Sequence, residues 1–215
     1  MNNLINNDAI RNLLSQDISG KYYKIENLKS ISLGNGFSLR PIDFEIYNDD
    51  NVHTMLMAFA STERIRKFLP SLDFSSKDKI QKWIMELCQK TEMGLAFAYG
   101  INLNSAVIGV IFVNTPTYNK AAMGFPQWTM DFFIAEPLEG QGIMTVALLN
   151  MLHFLQTSTN ADSIYALIDN ENTRCLTLIG KLPFAERDNS GFKNPENNFS
   201  PPYVYECPLS QIRFQ

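Results

Sequence analysis

The run Glu136-Pro137-Leu138-Glu139-Gly140-Gln141-Gly142-Ile143-Met144-Thr145 stands where a strand-like segment ends and an apolar-periodic helix begins. Two glycines one residue apart let the backbone turn tightly and aim successive N–H groups at one point, while the helix start adds partial positive charge. Such a turn suits an anion, phosphate above all, and it also serves as a plain strand-to-helix connection that uses glycine for geometry. A dinucleotide-binding unit would want a third small residue where Thr145 stands and would open the chain with this loop. Here three strand-like segments precede it, over 95–102, 106–115 and 128–135, separated by Asn, Gly and Pro clusters. They predict an antiparallel meander and disfavour a doubly wound sheet.

The flanking patterns complete the fold class. Residues 37–42 read as a strand, and 52–68 as one or two helices with Met55, Leu56, Phe59, Ile65 and Phe68 turned inward and Pro70 as the stop. Ser75-Ser76-Lys77-Asp78 has capping-box form ahead of Ile80, Trp83, Ile84 and Leu87 at helical spacing, which predicts a helix over 75–90. After the glycine loop come a helix over 143–157, a strand over 163–169 and a helix over 173–181. Strand, helix, strand is a crossover unit with parallel strands. Two last strands, 184–188 and 203–207, close the chain, with Pro201-Pro202 between them. The expectation is α/β of the α+β kind: a mixed, mostly antiparallel sheet with one β-α-β crossover and flanking helices. Residues 1–36, with a short helix capped by Asp8 and carrying Ile10, Leu13 and Leu14, read as an arm packing on a domain over 37–215.

Composition bounds the function. With 215 residues, 45% of them hydrophobic, the chain can bury a core without disulfide or metal staples. Cys88, Cys175 and Cys207 lack C-x-x-C spacing and only His53 and His153 accompany them, so no metal site is expected. A formal net charge of -4 argues against a nucleic-acid partner and mildly favours amines. No apolar run reaches membrane-spanning length, and the Asn-rich start lacks the blocks of a signal peptide, which points to the cytoplasm.

Three stretches together resemble the GNAT acetyltransferase superfamily, especially the Rim-type branch that acetylates ribosomal-protein N-termini. They are Val107-Ile108-Gly109-Val110-Ile111, Gly140 through Leu148, and Asn172-Thr173-Arg174-Cys175 running to Lys181-Leu182-Pro183-Phe184. The resemblance implies the acyl-CoA N-acyltransferase fold and transfer of an acetyl group from acetyl-coenzyme A to a primary amine, with a protein or peptide N-terminus as one acceptor. It places the cofactor's pyrophosphate on the N–H groups of Gly140, Gln141, Gly142, Ile143, Met144 and Thr145. It lays the pantetheine arm along Phe132 and Ile134, and assigns Asn172 to the cofactor. Asn172 equally suits a helix cap before Thr173. A homodimer is left open.

The chain departs from the family at four places. Glu139 stands where Arg or Gln is common, and at an effective dielectric near 20 a like charge about 6 Å from the pyrophosphate costs roughly 3 kcal/mol. Pro183 replaces a Gly, Ile179 replaces a Tyr that can protonate the leaving thiolate, and Thr129 replaces a Glu that serves as base. Asp131, which alternates onto the same strand face as Thr129, is the candidate substitute base and equally suits a charged position at a bulge or solvent face. The resemblance puts Cys175 where the family has a Ser that protonates the thiolate, so it is the candidate acid or a packing thiol. His53 and His153 read as structural or surface residues, and Phe68, Phe74 and Trp128 as candidate acceptor-pocket walls. The same departures motivate the alternative of an acetyltransferase-fold binding or regulatory protein without turnover, and a nucleotide-binding module is the third reading.

Overall fold

The computed structural model describes residues 28–43, 45, 49–60, 62–69, 72–188 and 203–212. The expected helix around Ile10 and the stops at Pro70 and Pro201-Pro202 lie outside the described residues. Among those described, the sheet has eight strands: β1 Ile31–Gly34, β2 Phe37–Pro41, β3 Ala96–Leu103, β4 Ala106–Asn114, β5 Thr129–Ile134, β6 Ser163–Ile168, β7 Ala185–Arg187 and β8 Tyr203–Pro208. Their order is β1-β2-β3-β4-β5-β6-β8-β7. Every neighbouring pair is antiparallel except β5 with β6, which is parallel. The helices are α1 Asp50–Ala60, α2 Glu63–Phe68, α3 Lys77–Glu92, α4 Pro116–Met123, α5 Ile143–Ser158 and α6 Thr173–Ile179.

Residue alternation explains how the sheet is covered on both faces. Along β3, Phe97, Tyr99 and Ile101 join one core with Ile111 and Val113 of β4 and Met130 of β5. Against them α5 buries Met144, Ala147, Leu148, Met151, Leu152 and Leu155. Ala98, Val110 and Phe133 face the opposite way, into a second core with Leu56 and Phe59 of α1 and Ile80, Ile84 and Leu87 of α3. Continuous burial along β3 follows from this double cover. Of the residues expected inside from the 52–68 segment, Leu56, Phe59 and Ile65 are buried while Met55 and Phe68 are half-buried.

Three local features differ from the sequence reading. Residues 31–34 already belong to the sheet, as β1 turns through Asn35 and pairs with β2. The α3 cap is Ser76, whose Oγ accepts from the Lys79 N–H at 3.3 Å, one residue after the box suggested by Ser75. The segment read as turn punctuation holds α4, with Pro116 in its first turn, Thr115 accepting from the Tyr118 N–H and Gly124 left-handed at its end.

Gly109 fixes how closely β4 and β5 approach. A Cβ there would sit 2.5 Å from the Phe133 carbonyl oxygen and 3.0 Å from Ile134 Cα. That close approach lies at the end of β5, immediately before the chain enters the glycine loop.

Candidate active site

Thr129 of β5 is matched to Tyr165 of β6, and the Tyr165 N–H donates to the Trp128 carbonyl at 2.9 Å. No residue of β5 beyond Thr129 is matched on β6. The space between the parted strands is a cavity of about 690 Å³, lined by residues 130–134 on one side and 166–169 on the other. The glycine loop and the α5 N-terminus close one end, α2 and α6 the flanks. Its size is that of a small-molecule site.

The loop has the geometry that its composition suggests. After a short 3-10 turn, Glu136–Leu138, Gly140 and Gly142 take φ of +73° and +80°, the left-handed region where only glycine is at ease. No protein atom lies within 4 Å of where a Cβ would project from either residue, and both line the cavity. Gly142 is the N-cap of α5 and supplies no side chain to bond the first-turn N–H groups, so these remain available to an anion. Ile143, Met144 and Thr145 line the cavity, whereas Gln141 turns its Nε2 back to the Pro137 carbonyl at 3.1 Å. Phe132 and Ile134 line the wall that β6 leaves unpaired. A phosphate cradle at one end and an open strand edge leading from it fit an elongated thioester carrier with a diphosphate and an amide arm.

Glu139 does not face that cradle as a bare charge. Arg64 Nη1 of α2 donates to Glu139 Oε2 at 2.7 Å, and Arg174 Nη1 of α6 donates to the same oxygen. Arg174 also lies 3.8 Å from Glu136. A second ion pair, Lys67 with Glu171, runs parallel to the first, so α2 is tied to the segment that opens α6. Burial, and then the neighbouring Arg174 charge, hold the Arg64 guanidinium below its ordinary pKa.

Asp131 and Cys175 both line the cavity, on β5 and α6. Asp131 is half-buried, has no hydrogen-bond or ion-pair partner among the described residues, and desolvation pushes its carboxyl up to about 6. Burial, then the Asp131 charge, pushes the Cys175 thiol up to about 12. Asn172 Oδ1 accepts from the Cys175 N–H at 3.3 Å as the N-cap of α6, and the residue also lines the cavity, so the capping and cavity positions coincide. Thr129 is a buried polar residue, 3% exposed, and Ile179 is fully buried in the core. Of the three aromatic candidates only Phe68 reaches the cavity; Phe74 and Trp128 are core residues. His53 is buried in α1 and His153 exposed on α5, and neither lines the cavity. Arg64 was invisible to sequence reasoning, because its partner Glu139 is 75 residues away.

The residues described hold no group of three His, Cys, Asp or Glu side chains suited to a metal ion. No helix among them is long and apolar enough to cross a membrane.

A mixed sheet parted at its one parallel junction, with a glycine loop opening a helix at the gap, defines an acyl-coenzyme A binding N-acyltransferase fold. The chain belongs to the acetyltransferase (GNAT) family, whose domain model matches residues 39–185. The chemistry is transfer of an acetyl group from acetyl-coenzyme A to an amine.

Among solved structures, the fold is similar to RimL, a ribosomal L7/L12 alpha-N-protein acetyltransferase in complex with coenzyme A. The TM-score is 0.65 at 16% identity over 83% of this chain and 97% of that one. The ribosomal-protein-S5-alanine acetyltransferase of Vibrio fischeri gives a TM-score of 0.66 at 14% identity over 87% and 100%. RimJ of Mycobacterium smegmatis in complex with CoA-disulfide gives 0.65 at 13% over 83% and 85%. A search of curated proteins finds no match to the chain.

Proposed function

We propose that the acceptor is the α-amine of a protein or peptide N-terminus and that Asp131 is the base that receives its proton. The observation that carries this reading is the unpartnered Asp131 carboxyl in the cavity, held at about 6. An α-ammonium has a pKa near 8, so handing its proton to such a carboxylate is uphill by about 2.7 kcal/mol; for a lysine side chain near 10.4 the same step is uphill by about 6 kcal/mol. The α-amine therefore gives up its proton at a cost about 3 kcal/mol lower than the lysine side chain. The structural neighbours named for ribosomal-protein acetylation support the same acceptor class. The cytoplasm, where ribosomal proteins reside, is the compartment that this reading implies.

The chain's own residues then divide the work. N–H groups from Gly140 to Thr145 would hold the diphosphate, and the β5 edge at Phe132 and Ile134 would hold the pantetheine arm. Bound acetyl-coenzyme A supplies the activated acetyl thioester. The cavity aligns it with the amine, and alignment alone can contribute several kcal/mol. Cys175 keeps its proton at neutral pH. Complete transfer from a thiol at about 12 to a leaving thiolate of ordinary pKa near 8.5 is uphill by about 5 kcal/mol, so Cys175 acts as an S–H donor to the departing sulfur.

Mass spectrometry of peptide panels tests the assignment. Peptides with free N-termini gain 42 Da at the α-amine in the presence of acetyl-coenzyme A, while N-blocked peptides with lysine do not. Acetylation confined to lysine or to small amines would overturn the acceptor class, and cofactor binding with no turnover on any amine would favour the binding-protein alternative.

A further inference from the structure

We propose that Arg64 and Arg174 are phosphate-recognising residues and that Glu139 is their resident counter-ion, from which an incoming phosphate of coenzyme A takes them over. The inference rests on the coenzyme reading of the glycine loop and adds to it two side chains from outside that loop.

Three observations carry it. Two guanidiniums from separate helices converge on one carboxylate oxygen at the rim of the cavity, beside the N-terminus of α5. Gathering like charges is unfavourable unless an anion sits between them, and Glu139 is that anion here. The carboxylate belongs to the residue immediately before Gly140, and Glu139, Gly140 and Gly142 line the same cavity. Finally, both arginines are accessible at the cavity: the Arg64 side chain is 27% exposed and that of Arg174 63%.

The exchange is physically economical. A guanidinium fork matches a phosphate as well as a carboxylate, and a phosphate monoester carries up to two charges against one. The arginines trade one anion for another, so no buried charge is left unpaired. Glu139, released, turns to solvent from a side chain already 21% exposed. The like-charge penalty that its position suggests in the sequence becomes a competition for two cations.

Calorimetric titration of wild type, Glu139→Gln, Arg64→Gln and Arg174→Gln with coenzyme A, dephospho-coenzyme A and pantetheine tests the proposal. Glu139→Gln tightens coenzyme A about tenfold, and each arginine variant weakens it about tenfold. Pantetheine, which carries no phosphate, binds all four alike. Shifts that vanish with dephospho-coenzyme A place the 3′-phosphate on the arginines; shifts that persist place the diphosphate there. Unchanged or weaker coenzyme A binding by Glu139→Gln overturns the counter-ion role. Parallel losses for pantetheine would make the bridge mere scaffolding, which also overturns it. Should Glu139→Gln not fold, Arg174→Gln, on the more exposed side chain, tests the phosphate contact itself, and unchanged coenzyme A affinity there overturns the proposal. Wild type that fails to bind coenzyme A at all defeats the coenzyme reading instead, a separate result.

Discussion

Asn119 Nδ2 donates to Thr129 Oγ1 across 3.0 Å in the buried core, and the same amide reaches the Gln127 carbonyl at 2.6 Å. The Thr129 hydroxyl is therefore committed to holding α4 against β5. Two residues along the same strand, Asp131 has no such partner and looks into the cavity.

Replacing Asp131 by Asn should lower kcat/KM by about 10²-fold or more, the usual contribution of a positioned base. For wild type the rate should fall as pH drops through about 6, where the carboxyl takes up its proton, and that limb should be absent from the variant. Stability moves the other way. The native state holds this proton more tightly than the ordinary 3.8 allows, so the stability that it contributes is full below 3.8 and lost as pH rises through about 6. Asp131→Asn should therefore gain up to about 3 kcal/mol at pH 7 and nothing near pH 3. Urea unfolding at the two pH values checks the sign.

At Gly142 the expected outcome separates strain from ligand space. Valine there must adopt φ +80°, costing about 1–3 kcal/mol, yet its Cβ meets no protein atom. A drop in melting temperature of several degrees should accompany a loss of coenzyme A affinity larger than tenfold. Thermal melts paired with calorimetry read both, and retained affinity would reduce the loop to a connection.

Cys175→Ala should cost no more than about tenfold in kcat, since a thiol held at about 12 gives only a hydrogen bond. A loss of a thousandfold in single-turnover measurements would restore full proton transfer to this residue.

Asn172 caps α6 and also lines the cavity, so its substitutions can separate the two positions. Asn172→Ala should destabilise the chain by about 1 kcal/mol through the missing cap on Cys175 N–H, and Asn172→Ser should recover that loss. If the amide also touches the cofactor, Asn172→Ser stays weak in coenzyme A titration despite its restored stability.

Local chemistry made much of this legible. Apolar runs over 95–102 and 106–115 between Asn, Gly and Pro clusters placed the meander, and the two glycines ahead of Ile143 placed the turn into the helix, because both signals are carried by adjacent residues. α4 is hidden in the sequence because Asn, Gly and Pro serve helix ends as well as turns; Thr115 followed by Pro116 is the usable cue. Two serines in a row offer two frames for the cap, and α3 uses the second. What stayed hidden depended on distance along the chain. The clamp on Glu139 joins residues 75 and 35 apart, and the desolvation of Asp131 requires knowing which walls surround it.

The meeting of β5 and β6 at Thr129 and Tyr165 also has a mechanical consequence. The β6, β8 and β7 portion hangs beside the meander like one leaf of a hinge, joined by a single backbone rung and a shared apolar spine. A molecule threaded between the leaves adds the missing rungs, so amide hydrogen exchange along 130–134 and 166–168 should slow on cofactor addition far more than along β3.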